Sequence, residues 1–584
     1  MCELREDGPT AVKNLEIARL FNLMADVLEL RQGNIFRIRA YRRAAQNLES
    51  LREDLETLAR EDRLDEIPGV GADLAGKIAE YLRTGHIRDI ERATSKIPPG
   101  VVALMNVPGI GPKMAMRLYH RGITDVDRLE KAARAGRLRG LRGIQARTEQ
   151  SILRGIALVR AGQTRMPLGR ALPIGRALVD ALRRVRGVKE IALAGSLRRG
   201  RETVGDIDLL ITSDRPRAVM DAFVALPDVA EVLEKGRTKG AIRHRDGIQV
   251  DLRVVEPECF GAALLYFTGS KQHNIRIREI AVRKSLTLSE YGLFRESSGR
   301  RLAGASEEEV YAALGLPWIP PELREDAGEV EAALAGRLPA LVTLDDIRGD
   351  LHCHTKASDG HATIEAVVDA ARRRGYDYVV ISDHSRSARV AGGLSIEECR
   401  AHVARVRAVG RRSRDIAVLA GTECDILPDG SMDYPDPVLA DLDIVIAAVH
   451  ARFKQSRAEM TRRLCRALAN PHVDVLAHPS GRLLGERDPC DYDLEQVLEA
   501  ARHHDKALEI NAYPTRLDLP DVQARRAHER GVLVAIDTDT HTLDHLAFME
   551  LGVLTARRAW IGKTGVVNTW PLKKLLAWAA RHAR

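Results

Sequence analysis

The spacing of apolar positions changes along the chain and divides it into three regions. In residues 1 to about 165, apolar side chains recur at helical spacing and no convincing strand interrupts them. From about 170 to 255, short apolar runs such as 191–194, 207–212 and 248–255 are separated by helix-like stretches. The pattern therefore predicts a helical region followed by an α+β unit.

The third region, from Gly349 onward, alternates short apolar runs with helical segments. This alternation is typical of repeated βα units, in which helices join parallel strands. A Pro-punctuated stretch at 316–321 and an acidic, Ala-rich connector to about Asp346 precede it and mark the main boundary of the chain. The apolar runs lie at 378–381, 417–420, 444–449, 473–477, 507–510 and 532–536.

Composition narrows the possible functions. Of the 584 residues, 45% are hydrophobic and 29% are charged, which is typical of a folded protein and excludes a disordered or collagenous chain. Aromatic residues make up only 4%, so we expect nucleic-acid recognition through backbone amides and arginine rather than through many stacked bases. The net charge of +8 is a mild basic bias that suits a polyanionic partner.

The cysteines and the N-terminus indicate a cellular compartment. The seven cysteines are scattered without CxxC spacing, which fits reduced thiols better than a disulfide framework or a thiolate zinc site. The first residues carry charged side chains rather than the apolar run of a signal peptide, and no apolar segment is long enough to span a bilayer. We therefore expect a cytoplasmic protein with no membrane contact.

Two loops in the helical region share one form, IPGVG at 67–71 and VPGIG at 107–111. Glycine allows close approach of the backbone, and the amides at the start of the following helix can hold a phosphate oxygen without reading a base. Two copies with basic residues nearby favour helix-hairpin-helix DNA binding over a pair of ordinary turns, and a degenerate third copy lies at 141–145. The residues expected at the DNA are Gly69, Gly71, Lys77, Gly109, Gly111 and Lys113.

The α+β unit carries three carboxylates in strand-like runs. Asp206 and Asp208 begin one run, and residues i and i+2 of a strand point to the same face, so the two can share a pair of divalent ions. Asp251 lies in a later run, where a lone charge would be costly. Three carboxylates around two Mg²⁺ ions would activate a 3′-hydroxyl and neutralise a leaving pyrophosphate. Ser196 and Arg199 of the GSLRRG turn would then hold triphosphate oxygens.

The order of hairpin loops, GSLRRG, GDIDLL, VDLRVV and YFTGS resembles the family X DNA polymerases, the nucleotidyltransferases that include DNA polymerase beta, over about residues 10 to 320. The resemblance implies that Asp206, Asp208 and Asp251 are the catalytic metal ligands and bind Mg²⁺ or Mn²⁺. It also implies a nucleotide site with the triphosphate at Ser196, Arg199 and Gly205, the sugar against Tyr266, Phe267 and Gly269, and the base and template side at Asn274 and Arg278.

The chain departs from that family at positions that affect function. Gln249 stands where polymerase beta has an arginine two residues before its third carboxylate, which leaves the positioning of the primer end and the rate of synthesis open. Lys77 stands where the family has the Schiff-base lysine of its deoxyribose-phosphate lyase, but Asp73 replaces a neighbouring phosphate-binding lysine. Because such a nucleophile needs a lowered pKa, Lys77 is either a lyase residue or a phosphate contact or solvated helix charge.

In the last region, apolar run after apolar run is followed by a residue that can bind a metal ion. A single histidine at a strand end is usually structural, but successive strand ends converge on one face of an α/β barrel. Imidazoles and carboxylates without paired thiolates suit Zn²⁺ or Mn²⁺, and a site of this kind favours phosphoester hydrolysis. The candidate ligands are His352, His354, Asp359, His384, Glu423, His450, His478, Asp539 and His541.

The motifs DLHCHT, SDHS, GTECDI, AVH, AHP and TDTH of this region resemble the PHP (polymerase and histidinol phosphatase) domain. The resemblance implies up to three ions, Mn²⁺ or Zn²⁺, and 3′→5′ exonuclease activity, with AP-endonuclease or 3′-phosphatase activity in some members. The implied ligands are His352, His354, Glu423 and Asp539 at the first ion, Glu423, His450 and His478 at the second, and Asp359, His384 and His541 at the third.

We therefore expect a multidomain fold, with an all-α helix-hairpin-helix region, an α+β nucleotidyltransferase palm with a thumb, and a distorted α/β barrel of the PHP type. The expected parts are a helical lyase-like DNA-binding domain at 1–90, helix-hairpin-helix fingers at 91–165, the palm at 166–257, the thumb at 258–322, a linker at 323–347 and the PHP metallo-phosphoesterase domain at 348–584.

Both halves in one chain match the bacterial family X polymerases that carry their own nuclease. The expected function is repair synthesis on gapped or primer-template DNA from deoxynucleoside triphosphates, with trimming of 3′ ends in the PHP domain, by a monomer. A competing interpretation, motivated by Gln249, keeps only the nuclease and treats the polymerase half as a weak or vestigial DNA-binding scaffold. A DNA-bridging protein without enzymatic activity is the least favoured, because both ligand sets are complete.

Overall fold

The computed structural model divides into two compact units, Met1–Thr164 and Arg165–Arg584. The residues that the structure describes are 34–49, 55–67, 69–94 and 112–139 with separate positions within 17–28, 104–110 and 149–156 in the first unit, and 165–582 except 485 and 486 in the second.

The described part of the first unit is helical and contains no strand, in agreement with the apolar spacing. Apolar side chains from successive helices form one core, in which the rings of Phe21 and Tyr41 pack edge to face at 5.4 Å. Asp125 caps the last of these helices by accepting a hydrogen bond from the amide of Arg128 at 2.7 Å. The helices are α1 (Ile35–Glu49), α2 (Leu55–Arg60), α3 (Ala72–Thr84), α4 (Arg88–Thr94), α5 (Pro112–Tyr119) and α6 (Val126–Arg134).

The second unit begins with a five-stranded sheet in the order β2-β4-β7-β6-β5, which we call the palm. Strands β4 and β7 are parallel, and the other neighbouring pairs are antiparallel. The elements are β1 (Met166–Pro167), α7 (Leu168–Arg183), β2 (Val188–Leu193), α8 (Gly195–Arg198), β3 (Thr203–Val204), β4 (Asp206–Ser213), α9 (Pro216–Val224), β5 (Val229–Lys235), β6 (Lys239–His244) and β7 (Gln249–Val255).

A smaller group of helices around a three-stranded antiparallel sheet follows, which we call the thumb. Its helix α13 lies in the segment predicted as a linker, and Val330 and Ala333 of that helix are buried in the thumb core. The elements are α10 (Phe260–Thr268), α11 (Lys271–Arg283), β8 (Leu286–Ser289), β9 (Gly292–Arg295), β10 (Arg301–Ala303), α12 (Glu307–Ala313) and α13 (Glu329–Leu334).

The rest of the chain forms a seven-stranded parallel sheet with its strands in sequence order, which we call the barrel. It curls until the residues after its first and last strands meet, where the amide of His354 donates to the carbonyl of Thr540 at 2.8 Å. All the carboxyl ends of the strands therefore lie at one end. The strands are β11 (Gly349–Asp350), β12 (Tyr378–Ile381), β13 (Ala417–Asp425), β14 (Ile444–Ala448), β15 (Val475–Leu476), β16 (Ala507–Asn511) and β17 (Leu533–Asp537).

The barrel helices join these strands, and one of them packs against the palm. Leu551 of helix α20 and Leu517 of a barrel loop belong to the palm's apolar core. No described helix is both long and apolar enough to cross a lipid bilayer. The helices are α14 (Ile364–Arg373), α15 (Ile396–Arg412), α16 (Asp436–Leu439), α17 (Arg457–Leu468), α18 (Leu494–His503), α19 (Asp521–Glu529), α20 (Met549–Arg558) and α21 (Leu572–His582).

Candidate functional site

The palm brings three predicted carboxylates together at one edge of its sheet. Asp206 and Asp208 lie at the start of β4, and the parallel register places Asp208 directly beside Asp251 of β7. One carboxylate oxygen from each residue lies within 4.8 Å of the others. Asp206 is exposed and the other two are half-buried, so the cluster is open to solvent.

Crowding of these carboxylates makes the site suited to cations. Burial, and then the charges of Asp206 and Asp251, raise the pKa of Asp208 to about 7. Burial also raises the pKa of Asp251, although the amide of Gln249 donates to its Oδ2 at 2.8 Å and opposes this shift. Clustered carboxylate oxygens are the ligands that Mg²⁺ and Mn²⁺ prefer, so the three residues fit the divalent ions that the sequence predicts.

A glycine lets the GSLRRG turn approach this cluster. Gly195 has a left-handed backbone with φ of 63°. A Cβ atom at this position would lie 2.1 Å from Oδ2 of Asp208, which is far inside van der Waals contact. The turn therefore requires glycine for both its conformation and its closeness to the carboxylate.

The three residues predicted at the triphosphate lie around the same edge. Ser196 is half-buried on α8, and Gly205 directly precedes β4. Arg199 donates through Nε to Glu325 at 3.0 Å and through Nη1 to the carbonyl of Thr268, so it is already fixed by the thumb side of the unit.

Arg165 is a basic residue near this site that the sequence analysis missed. Its Nε donates to Oγ1 of Thr203 at 3.0 Å, and Thr203 lies three residues before Asp206 in the chain. Burial, then the charge of Arg201, lower its pKa, and Asp206 opposes them. No motif surrounds it in the sequence, so only the folded chain identifies it.

The residues predicted around the nucleotide's sugar and base also lie together. The side-chain amide of Asn274 donates to the carbonyl of Tyr266 at 2.7 Å, and the guanidinium of Arg278 lies 5.6 Å from the centre of the Tyr266 ring. Tyr266 packs edge to face on Phe267 at 5.0 Å. Gly269 ends α10 with φ of 68°, which turns the chain into α11. The grouping is consistent with the predicted pocket, and the individual roles stay predictions.

In the first unit, the structure describes the first hairpin loop. Gly69 is exposed with φ of 80°, and Gly71 is the N-terminal cap of α3, a position at which backbone amides suit a phosphate oxygen. The predicted contacts Gly109 and Gly111, the side chain of Lys113 and the degenerate copy at 141–145 lie outside the described residues.

Lys77 is held as a charged residue. Its side chain is only 7% exposed, and its Nζ lies 2.5 Å from Asp73 and 3.6 Å from Asp89. Burial acts to lower the pKa of Lys77, but the hydrogen bond to Asp73 and the nearby Tyr41 and Asp89 outweigh it and raise the pKa. A protonated amine is a poor nucleophile, so this environment opposes a lyase role, and the burial also differs from that of a solvated helix charge.

In the barrel, the nine predicted ligands meet at the carboxyl ends of the strands. They follow or end five neighbouring strands and the closing strand, as the βα pattern predicts. Ligand atoms within 4.8 Å of one another form three overlapping groups. These groups are His354, Asp359, His384 and His541; His352, His354 and Asp539; and His384, Glu423 and His450.

Glu423 lies at the centre of the cluster. Its Oε1 is 2.8 Å from Nε2 of His478 and 3.1 Å from Nε2 of His450. Its Oε2 is 2.9 Å from Nδ1 of His384 and 3.4 Å from Nε2 of His352. A carboxylate shared in this way is suited to bridging ions, while the assignment of each ligand to one ion stays a prediction.

Buried ring nitrogens without hydrogen-bond partners support metal binding. Both ring nitrogens of His354 are in this state among the described residues, as are Nε2 of His352 and Nδ1 of His384. Carboxylate oxygens lie 2.9–3.8 Å from these atoms but are not aligned for hydrogen bonds. Burial, and then the charge of Arg516, lower the pKa of His478 to about 3. At His384 and His450 burial opposes protonation, but the charge of Glu423 outweighs it and raises the pKa to about 10 and about 9, so a bound divalent ion would displace protons from these rings. Imidazole and carboxylate donors together fit divalent transition ions.

Two acidic residues behind the cluster orient its histidines. Glu509 accepts from Nδ1 of His352 at 2.7 Å and from the amide of His478 at 2.6 Å. Asp425 accepts from Nδ1 of His450 at 2.5 Å. These bonds direct the Nε2 atoms of His352 and His450 toward Glu423. Sequence reasoning missed both acids, although a charged residue inside the apolar run of β16 was a usable signal.

Arg516 is a further residue that the sequence analysis missed. Its Nε lies 3.4 Å from Oδ2 of Asp539, and its side chain is 18% exposed. It therefore brings a positive charge to the ligand cluster. Cys353, by contrast, is buried, burial raises the pKa of its thiol well above the usual value, and it belongs to none of the ligand groups found among the described residues.

Known families match successive segments of the chain. A helix-hairpin-helix domain matches residues 12–87, and a SAM-like helix-hairpin-helix tandem matches 101–157. A nucleotidyltransferase domain matches 176–282, and the DNA polymerase beta thumb matches 263–325. The PHP domain matches 350–513. The order of these matches follows the order of the described units.

Named relatives cover the chain in whole and in part. The DNA polymerase/3′-5′ exonuclease PolX of Bacillus subtilis is 38% identical over 97% of this chain and 99% of its own length. DNA polymerase lambda of Rattus norvegicus is 29% identical over 53% of this chain and 56% of its length. A probable phosphatase of Caldanaerobacter subterraneus is 31% identical over 33% of this chain and 75% of its length. The chain therefore belongs to the PolX family of DNA polymerases.

Proposed function

We propose that this chain fills short gaps in DNA by nucleotidyl transfer at the palm and trims or cleans 3′ ends at the barrel. The observation that carries the proposal is the presence of two separate, complete ligand sets in one chain. The Bacillus subtilis relative, which spans nearly the same length, is named for the same pair of activities.

In the palm, Asp206, Asp208 and Asp251 would hold Mg²⁺ or Mn²⁺, which neutralises the triphosphate charge and favours ionisation of the primer 3′-hydroxyl. Ser196, Arg199 and the backbone at Gly205 bind the triphosphate. Tyr266, Phe267 and Gly269 line the sugar, and Asn274 and Arg278 face the base and template side. The support for these roles is the grouping of the residues around the open carboxylate edge.

In the barrel, the nine clustered ligands would hold up to three Mn²⁺ or Zn²⁺ ions, which supply an activated water and neutralise the phosphodiester charge. Glu423 joins the ligand groups, and Glu509 and Asp425 hold the histidine rings in their binding orientation. Arg516 attracts the phosphate to the ligand cluster. The same chemistry applied to an abasic site or a terminal phosphate would give AP-endonuclease or 3′-phosphatase activity.

DNA binding is assigned to the two hairpins, through Gly69, Gly71, Gly109 and Gly111 of the loops and Lys77 and Lys113 of the helices that follow them. The protein acts on gapped or primer-template DNA as a cytoplasmic monomer. The domain limits given above are part of this proposal, with the palm at 166–257, the thumb at 258–322 and the barrel at 348–584, except that α13 of the predicted linker packs in the thumb core.

The test uses a 5′-labelled primer in a duplex with a one-nucleotide gap, Mn²⁺ and the complementary deoxynucleotide. We expect wild type to extend the primer by one residue and to shorten it when nucleotide is left out. Asp206→Ala should lose extension and keep shortening, and His384→Ala should do the reverse. A wild-type protein that only shortens the primer at saturating nucleotide would favour the competing function, a nuclease with a vestigial polymerase.

A further inference from the structure

A chain of charged groups connects the barrel to the residue assigned to the triphosphate. Arg558, at the end of barrel helix α20, donates through Nη1 to Oε1 of Glu325 at 2.9 Å. The same oxygen accepts from Nε of Arg199 at 3.0 Å. Nη1 of Arg558 also donates to the backbone carbonyl of Arg199 at 2.9 Å, so it contacts both the partner and the main chain of that residue.

The contact is buried and braced from the barrel side. Arg558 is 8% exposed, and its Nε donates to Oδ2 of Asp521 in α19 at 2.7 Å. Leu554, one turn earlier on the helix, packs against Gly200, where an added Cβ would lie 3.4 Å from Cβ of the leucine. Burial acts to raise the pKa of Glu325, but the charges of Arg558 and Arg199 outweigh it and lower the pKa to about 2.

The geometry leaves one edge of Arg199 available. Its Nε is bound by Glu325 and its Nη1 by the carbonyl of Thr268, whereas its Nη2 donates to no described residue. A guanidinium held on two nitrogens presents the third in a fixed direction, which is the arrangement that recognises a phosphate oxygen at low entropic cost.

We propose that Arg558 is a positioning residue for the polymerase reaction: it fixes Glu325, and Glu325 fixes the Arg199 side chain that binds the triphosphate. A residue of the nuclease domain thus supports nucleotide binding in the palm. The proposal rests on the proposed function, in which Arg199 contacts the triphosphate. Without Arg558, Glu325 would keep, among the described residues, only Arg199 at 3.0 Å and the more distant Arg201 at 3.9 Å as cationic partners, and the turn at Gly200 would lose a support.

The test compares two neighbouring arginines of one helix in single-nucleotide gap filling. Arg557 also bridges from the barrel, to Glu322 at 2.7 Å, but it has no bond to Glu325 or Arg199. We expect Arg558→Ala to raise KM for the deoxynucleotide about tenfold with little change in kcat, since losing a charged hydrogen bond affects ground state and transition state alike. Arg557→Ala, a matched loss of one bridging arginine, should leave this KM unchanged. Equal effects of the two variants, or none, would overturn the proposal.

A double variant shows whether the effect passes through Arg199. If it does, Arg199→Ala with Arg558→Ala should have the same KM as Arg199→Ala alone, whereas multiplied effects would contradict the proposed connection. Arg199→Ala with an unchanged KM would instead refute its assignment to the triphosphate and so the proposed function of the turn. Nuclease rate reports folding, and if Arg558→Ala does not fold, Glu325→Gln tests the same connection with the same expected rise in KM.

Discussion

The palm and the barrel solve the problem of binding divalent ions in different ways. The palm uses three carboxylates, of which Asp206 is exposed and Asp251 accepts a hydrogen bond from Gln249. The barrel uses buried imidazoles and carboxylates whose orientation is set by further acids such as Glu509. Mg²⁺-type ions commonly arrive with substrate phosphates, whereas buried histidine sites retain their ions. We therefore expect ions to be resident in the barrel and to enter the palm with the nucleotide.

Removal of the central barrel carboxylate should have the largest effect. Glu423→Gln takes a negative charge from a group shared by five histidines, so the purified protein should lose bound transition metal and its nuclease rate should fall by about three orders of magnitude. Mass spectrometry measures the metal content, and a primer-trimming assay measures the nuclease rate. Gap filling should be unaffected, and Glu365→Gln, the same change at an exposed position, should alter neither. Full metal content in purified Glu423→Gln would contradict the expectation that Glu423 helps to hold resident ions in the barrel.

A smaller loss of metal binding is expected when a residue that orients the ligands is changed. Glu509→Gln replaces an acceptor of three donors by an amide that can accept only through one oxygen, so His352 loses its fixed orientation. Metal affinity of the barrel should fall by about 10- to 100-fold, as is typical of such outer partners. Competition with a chromogenic chelator measures this. Unchanged affinity would mean that the histidines are held by packing alone.

In the palm, activity should depend on how closely the Gly195 turn packs against Asp208 rather than on residues that orient the metal ligands. Gly195→Ala places a Cβ where Oδ2 of Asp208 lies and forces an L residue to keep a left-handed backbone. The conformation alone should destabilise the protein by about 1–2 kcal/mol, and the clash should also abolish most gap filling. Gly375→Ala is the matched control, because its φ is 76° and no atom lies within 4 Å of the added carbon. The melting temperature should fall for both variants, whereas primer extension should fall only for Gly195→Ala.

Sequence reasoning found the parts of these sites that are local in the chain. The run at 378–381 is a strand with the predicted bounds, and ligands that follow apolar runs meet at one end of the barrel. Strand β5 was missed, because its sequence VAEVLEK mixes charges into a half-exposed edge strand. The pairing of Arg558 with Glu325 has no local signature, since the partners are far apart in the chain and only packing brings them together.

Gln249, which stands where polymerase beta has an arginine, contacts the palm carboxylates. Gln249 lies beside Asp206 in the register of β4 and β7, and its amide bonds Asp251, so it already contributes to the order of the palm carboxylates. Unlike an arginine at this position, Gln249 carries no positive charge. Gln249→Arg should lower KM for gapped DNA by a few-fold and steepen the dependence of binding on salt, because one more cation faces the primer backbone. Gln249→Leu removes the hydrogen bond without adding charge and should instead slow extension at saturating DNA. If Gln249→Arg leaves both KM and salt dependence unchanged, position 249 does not contact the primer, and its contribution to the palm is the hydrogen bond to Asp251.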